Sequence, residues 1–323
     1  MAAAAAVIAT ASTACGPKAQ AAQDQTAADS DSVATVYFIK DITPENLVKI
    51  YKALGRDLKD STAVKISTGE STKSNQLNPD LIAQLIAEVN GRLVECNTAY
   101  PGNRMTTEDH RRAIAEHGYT NVDIMDADGD TTLVITDGFH LPYDIVGKHI
   151  MNYGSMLVLS HFKGHAMGGF GGALKNIAIG CGSTAGKTFI HSAGLTSNAD
   201  SLWQGIGKID HDDFLESMAD ACKGVINHFG KENMAYINVA NRLSVDCDCN
   251  GNPEAPQMGD LGIFASLDPV ALDRACVDAV FNSTDPGKEA LIERIKSRNG
   301  EHTIEAAEKH GLGTTKYKIV TLD

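Results

Sequence analysis

Short apolar runs alternate with capped amphipathic helices along most of this 323-residue chain, and that alternation limits the possible folds more than any other feature. Thr43-Pro44-Glu45 supplies a cap, a first-turn proline and an early acid. Leu47, Ile50, Tyr51 and Leu54 then form the apolar stripe of the helix that follows. Residues 63–66 and 92–96 read as strands, with a helix opened by Asn78-Pro79-Asp80 between them. Thr106-Thr107-Glu108-Asp109 starts a third helix ending near Gly118. Further strands over 132–136, 156–159, 234–239, 261–266 and 317–322, and helices over 212–229, 269–281, 287–298 and 303–310, complete the pattern. Such alternation predicts an α/β fold: a mixed, largely parallel sheet with helices on both faces, in one unit over residues 36–323.

In folds of this class ligands collect where strands end. Directly after one strand comes 160–194, SHFKGHAMGGFGGALKNIAIGCGSTAGKTFIHSAG, which holds His161, His165, His191, Lys175, Lys187 and Cys181. His161 and His165, four residues apart, either share a helix face or line a loop, a spacing suited to metal ligation or proton transfer. Gly169, Gly171 and Gly172 are expected to form part of a nest whose N–H groups hold a small anionic molecule beside Lys175. The apolar neighbours of Lys175 predict a lowered amine pKa and a nucleophilic role. His191 reads either as a ligand or as a core histidine.

Two other strand ends carry chemistry. Cys96-Asn97-Thr98-Ala99-Tyr100 offers Asn97 to a cofactor and Cys96 to a metal. Cys247-Asp248-Cys249 follows the strand at 234–239 and leaves three readings open: a metal or cluster ligand pair, a disulfide (to each other, Cys96 or Cys181), or inert thiols. Cys222 and Cys276 fall in apolar helical pattern as buried thiols. Asp126-Ala127-Asp128-Gly129-Asp130 lacks the sixth-position glycine and twelfth-position glutamate of a calcium loop, and reads as a solvated acidic turn. Asp268 and Asp273 are expected to cap and polarise the late helix.

A net charge of −13 with pI near 5.2 argues against nucleic acid as a main partner. No apolar stretch approaches the ~18 residues of a membrane span. At the start, a weakly apolar run over 2–11 precedes Ser12-Thr13-Ala14-Cys15, a lipobox-like sequence, although no positive residue comes before it. Residues 1–15 are expected to be a lipoprotein signal and 16–35 a flexible tether, which places the protein at a bacterial cell envelope, lipid-anchored and exported. Without that signal it is cytoplasmic.

The blocks VYFIKDITPENLVKIYKAL, VKISTGE, VECNTAY, LVLSHFKGHAMGGFGGALKNIAIG, LSVDCDC and LGIFASLDPVALDRACVDAV resemble the DUF362 family in order, over 36 to about 322. That family is described as Fe–S centre proteins, so the resemblance implies a metal ion or Fe–S cluster and a possible redox partner protein. The ferredoxin-type CxxCxxC of some members has no counterpart here. A more remote similarity is to the nickel-pincer lactate racemase family: His165, Gly169-Phe170, Gly171-Gly172, Lys175 and His191 keep its spacing, with Ile179-Gly180 in place of its Pro-Gly. This similarity implies cofactor attachment at Lys175, nickel ligation by His191 and acid–base chemistry at His165, with His110 or His161 as the second proton carrier. The expectation is metal-assisted or redox chemistry on a small anionic substrate at one pocket. A pincer-like isomerase of hydroxy acids and a non-catalytic metal- or solute-binding lipoprotein are the alternatives.

Overall fold

A computed structural model describes Met1 and residues 33–323, so the signal and most of the tether lie outside the described residues. The first half of the chain runs β1 (Ala34–Ile39), α1 (Pro44–Ala53), β2 (Thr62–Lys65), α2 (Pro79–Glu88), β3 (Gly91–Glu95), α3 (Thr107–Glu116) and β4 (Asp123–Ile124). A hairpin of β5 (Asp130–Val134) and β6 (Tyr143–Gly147) leads to β7 (Ser155–His161), then a tight hairpin of β8 (Lys163–His165) and β9 (Gly169–Gly171). There follow α4 (Ala173–Cys181), α5 (Thr184–His191), α6 (Leu202–Ile206), α7 (His211–Phe229), β10 (Met234–Ala240) and β11 (Gly262–Ser266). The chain ends with α8 (Pro269–Phe281), α9 (Lys288–Ser297), α10 (Glu301–Lys309) and β12 (Tyr317–Thr321). β1 therefore begins two residues before the expected boundary at 36.

Eight strands form one sheet in the order β12-β1-β11-β10-β7-β2-β3-β4. Every pairing is parallel except those of β11, which is antiparallel to both β1 and β10. The α/β expectation holds, with β11 making the sheet mixed. Side chains alternate faces along a strand, and β7 shows it: Met156 and Val158 join the core under α4, α7 and α8, whereas Leu157 and Leu159 join the core under α1 and α2. Both faces are covered, so β7 and β10 are buried along their whole length.

From β2 the chain steps outward through β3 to β4; from β7 it steps the other way to β10. The order reverses between β2 and β7, and a crevice opens at their carboxyl ends. The segment 160–194, whose glycines obscured its elements, folds as a hairpin and two helices behind that crevice. His161 ends β7 and His165 ends β8, so the two do not share a helix.

Candidate functional site

A cavity of about 530 Å³ sits at this reversal point. Lys65 brings β2 to it, Glu95 and Cys96 bring β3, Ser160 and His161 bring β7, and the loop after β10 brings Cys247 and Cys249. Lys175 on α4, His191 on α5 and Trp203 on α6 close the opposite side. The expected imidazoles, buried amine and sulfurs thus line one cavity.

Their hydrogen bonds divide the histidines into two kinds. His161 has no free nitrogen: Nδ1 lies 2.8 Å from Asp248 Oδ1 and Nε2 2.6 Å from the Asn241 carbonyl. Both partners are acceptors, so both ring nitrogens of His161 are engaged within the protein and the ring is held as a buried strut. His110 is held likewise between Glu95 Oε2 at 2.9 Å and Asn97 Oδ1 at 3.1 Å, and does not line the cavity.

His165 and His191 are the other kind, and they are opposites. His165 Nδ1 accepts from the N–H groups of Met167 and Gly168 at 3.1 and 2.8 Å. Its single proton therefore sits on Nε2, which faces Cys249 Sγ at 4.0 Å. His191 Nδ1 lies 2.6 Å from the Lys187 carbonyl and must donate, leaving an Nε2 lone pair. Phe214 stacks on that ring at 4.8 Å between centroids and fixes it. Burial, with Lys175 and other nearby cations, holds His165 well below the ordinary imidazole value. Burial also brings His191 to about 4, against the pull of the Lys187 carbonyl. One ring is a neutral donor and the other a neutral base or ligand. A backbone carbonyl on the second ring nitrogen is the usual support of a metal-binding histidine.

Lys175 has no hydrogen-bond or ion-pair partner among the described residues. Burial and then Lys163 bring its ammonium down to about 7, with Asp248 pulling the other way. Lys163 pairs with Asp248 at 3.0 Å, Lys65 bonds Asn176 Oδ1 at 3.2 Å and Lys187 donates to the Gly182 carbonyl at 2.6 Å. Burial opposes ionisation of Asp248, but His161 and Lys163 outweigh it and hold the carboxyl far below its usual range. Glu95 behaves the same way: burial is overcome by Arg104 at 2.9 Å, by His110 and by Lys65.

Several expected residues are placed elsewhere or otherwise occupied. Amides at both ends of the glycine run are committed inside the protein. The first N–H groups of α4, from Ala173 and Leu174, go to the buried Asp273 carboxylate at 2.8 and 2.9 Å, and those of Met167 and Gly168 go to His165. Asp273 thus caps α4 rather than α8, whose cap is Asp268 alone. A side chain at Gly172 would collide with Asp273, and Gly169 sits at φ +76° against Gly300. Of the three named glycines, Gly171 and Gly172 line the cavity and Gly169 does not. Asn97 is also spent internally, on His110, Thr107 and Asp126, and lies outside the cavity wall. Cys96 lines the cavity, but its thiol donates to the Cys181 carbonyl at 3.3 Å and burial pushes its pKa well up.

Cys247 and Cys249 are joined as a disulfide, the second of the three readings. Asp248 between them points the opposite way, onto His161 and Lys163. His165, Cys247 and Cys249 present donor atoms within 4.8 Å of one another, a possible metal group once the bond is reduced. His165 joins it only by exchanging its two backbone bonds for the other tautomer. A cluster held by four thiolates does not fit this donor set, which offers two sulfurs and one imidazole. Cys96 bonds the Cys181 carbonyl, Cys181 is a buried free thiol outside the cavity lining, and Cys222 and Cys276 bond Leu174 and Asn238 in the core.

The signal for Lys163, Lys65, Arg104 and Asp248 was present only as residue type. Each sits at a strand end or in a strand-end loop, yet nothing in the spacing brings them together.

No protein of curated function matches the chain by sequence. Among solved structures, one of a Thermotoga maritima protein aligns at 12% identity and TM-score 0.40 over 82% of this chain and 58% of that one. The chain thus spans little more than half of that protein. The lactate racemase apoprotein from Thermoanaerobacterium thermosaccharolyticum aligns at 12% identity and TM-score 0.38 over 88% of this chain and 82% of that one. Residues 62–278 match a family described as a domain of unknown function, DUF362, and with that match running from β2 to the last turn of α8, the chain belongs to the DUF362 family.

Proposed function

We propose that this protein binds a small anion of the carboxylate or phosphate class in the cavity and acts on it by metal-assisted proton transfer. One observation carries the reading. Lys65, Arg104, Lys163, Lys175 and Lys187 all line a cavity whose one lining carboxylate among the described residues, Glu95, is already paired with Arg104 and His110. In a chain of net charge −13 such a pocket is a local excess of positive charge, and low-dielectric walls focus its field on an entering anion.

Lys175, without a partner among the described residues, is the group left to bind the anion's charge. His165 Nε2–H donates to a substrate oxygen as a neutral acid, and the His191 Nε2 lone pair accepts a proton or a metal. Once reduced, the Cys247 and Cys249 sulfurs converge with His165 rather than with His191, and a divalent ion held there would polarise a bound oxygen. The reducible CxC pair also suits exchange with a redox partner protein. We further propose that residues 1–15 direct export and that Cys15 is lipidated, which the mass of the native N-terminus tests.

Calorimetric titration with inorganic phosphate, acetate and a 2-hydroxy acid tests the anion site. Saturable binding is expected in the parent protein and in the exposed control Lys49→Met, and should vanish in Lys175→Met. Unchanged binding in Lys175→Met would reject the reading. A second reading, a pincer-type isomerase of hydroxy acids, draws on the unpartnered, depressed Lys175 amine facing the same cavity as His165 and His191. It requires a covalent mass addition on Lys175. Isomerase activity from protein with an unmodified Lys175 excludes it.

A further inference from the structure

Away from the cavity, α7 carries Asp213, Glu216 and Asp220 at a spacing of three and four residues, which places them along one face. None of the three pairs with a lysine or arginine among the described residues. Each meets histidine instead. His140 Nε2 lies 2.7 Å from Glu216 Oε2 and 3.8 Å from Asp213 Oδ1. His302 Nε2, from α10, lies 3.1 Å from the other Glu216 oxygen, and its Nδ1 lies 3.5 Å from Glu305. His310, just past α10, lies 2.6 Å from Asp220.

The loop bearing His140 is fixed from beneath. The N–H groups of Phe139, His140 and Leu141 all donate to the buried Asp220 carboxylate at 2.8 Å, which aims the imidazole at Glu216 and Asp213. A partner that is always charged would neutralise this face permanently. Histidine instead exchanges its proton for a metal ion near neutral pH. The donor atoms of His140, Asp213 and Glu216 lie within 4.8 Å of one another. A tetrahedral ion with bonds of about 2.0–2.2 Å asks for donors roughly 3.4 Å apart, and the 2.7 and 3.8 Å separations bracket that value.

We propose that His140, Asp213 and Glu216 form a second divalent-cation site of zinc-like chemistry, with His302 orienting Glu216, that clamps the 137–141 loop and α10 to α7. One imidazole and two carboxylates suit zinc, manganese or ferrous iron. The two carboxylates balance the ion's charge, and a fourth position is left to water. The Glu305–His302–Glu216 chain is the outer support that such ligands ordinarily have. None of these residues lines the cavity, so this proposal stands independently of the anion reading.

The test uses the full chain carrying Cys247→Ser and Cys249→Ser, so that the cavity sulfurs contribute nothing, stripped of metal and titrated with zinc ion alone. One saturating equivalent and a raised melting temperature are expected. Both should be lost in His140→Ala and, independently, in the conservative and partly exposed Asp213→Asn, while His302→Ala weakens binding by about tenfold. Absence of a saturating equivalent overturns the proposal. So does binding that survives both His140→Ala and Asp213→Asn, or binding lost only in His191→Ala, which would assign the ion to the cavity.

Discussion

The two sides of the cavity obey opposite rules. On the β2–β3 side, Glu95, Arg104, Glu70, His110 and Thr68 bond one another, so that buried charges of both signs are matched. On the β8–α5 side, among the described residues, Lys175 has no partner and His165 and His191 meet only backbone polar groups along with a distant sulfur. Matched charges fix geometry, because moving any member strands another. Unmatched groups keep their proton or lone pair for a visitor, at the cost of depressed pKa values on cations held near other cations. The first side is a frame and the second a reactive surface.

The sharpest way to break this contrast is chemical labelling. With its amine at about 7, Lys175 is roughly half neutral at pH 7. An ordinary lysine near 10.4 is neutral there less than about one time in a thousand. An amine-reactive reagent at pH 7 should therefore modify Lys175 up to about a thousandfold faster than exposed lysines, read by peptide mass spectrometry. Uniform labelling would mean that its amine is no less protonated than the others.

Next comes the frame. Glu95→Gln leaves the buried Arg104 short of one counter-charge, and losing one partner of such a set typically costs about 3–5 kcal/mol. Urea denaturation measures the loss, and a change below about 1 kcal/mol would show that the network is not what holds this side together.

The third test concerns Asp144, fully buried on β6 with neither carboxylate oxygen bonded. Burial raises its pKa from 3.8 to about 7, against the nearby Ile145 N–H and the pull of Lys187. Because the folded value lies above the unfolded one, the folded state loses stability as pH rises from about 4 to about 7 and the penalty then stays constant. Asp144→Asn should therefore stabilise the protein by up to about 4 kcal/mol at pH 8 and scarcely at pH 4. An equal effect at both pH values would show that the carboxyl does not titrate in that window.

The fold was largely legible because periodicity and caps are local. Thr43, Asn78, Thr106 and Asp268 all cap the helices they were expected to open. Segment 160–194 was harder, since its glycines look like loop; yet Gly169 serves a tight hairpin and Gly172 a close approach to Asp273, followed by ordinary helix. The site was legible as a neighbourhood but not as a set of roles. His165, Lys175 and His191 reach the cavity as expected, while Asn97 and Gly169 do not.

By itself, the sequence did not show β1, β4, β6 or the elements of 160–206 after β7. It determined the capped helices and most of the central strands, that the sheet would be mostly parallel, and that the chemistry would gather where the strands end. Those are consequences of side-chain period and backbone preference within a dozen residues. Only the tertiary structure decided which groups remain free. Asp273 reaches α4 from 100 residues away, Asp248 reaches His161 from 87, and each consumes hydrogen bonds that composition alone left available. A histidine's tautomer and a lysine's proton depend on partners brought together by folding, because electrostatic and hydrogen-bond energies follow distance in space rather than along the chain.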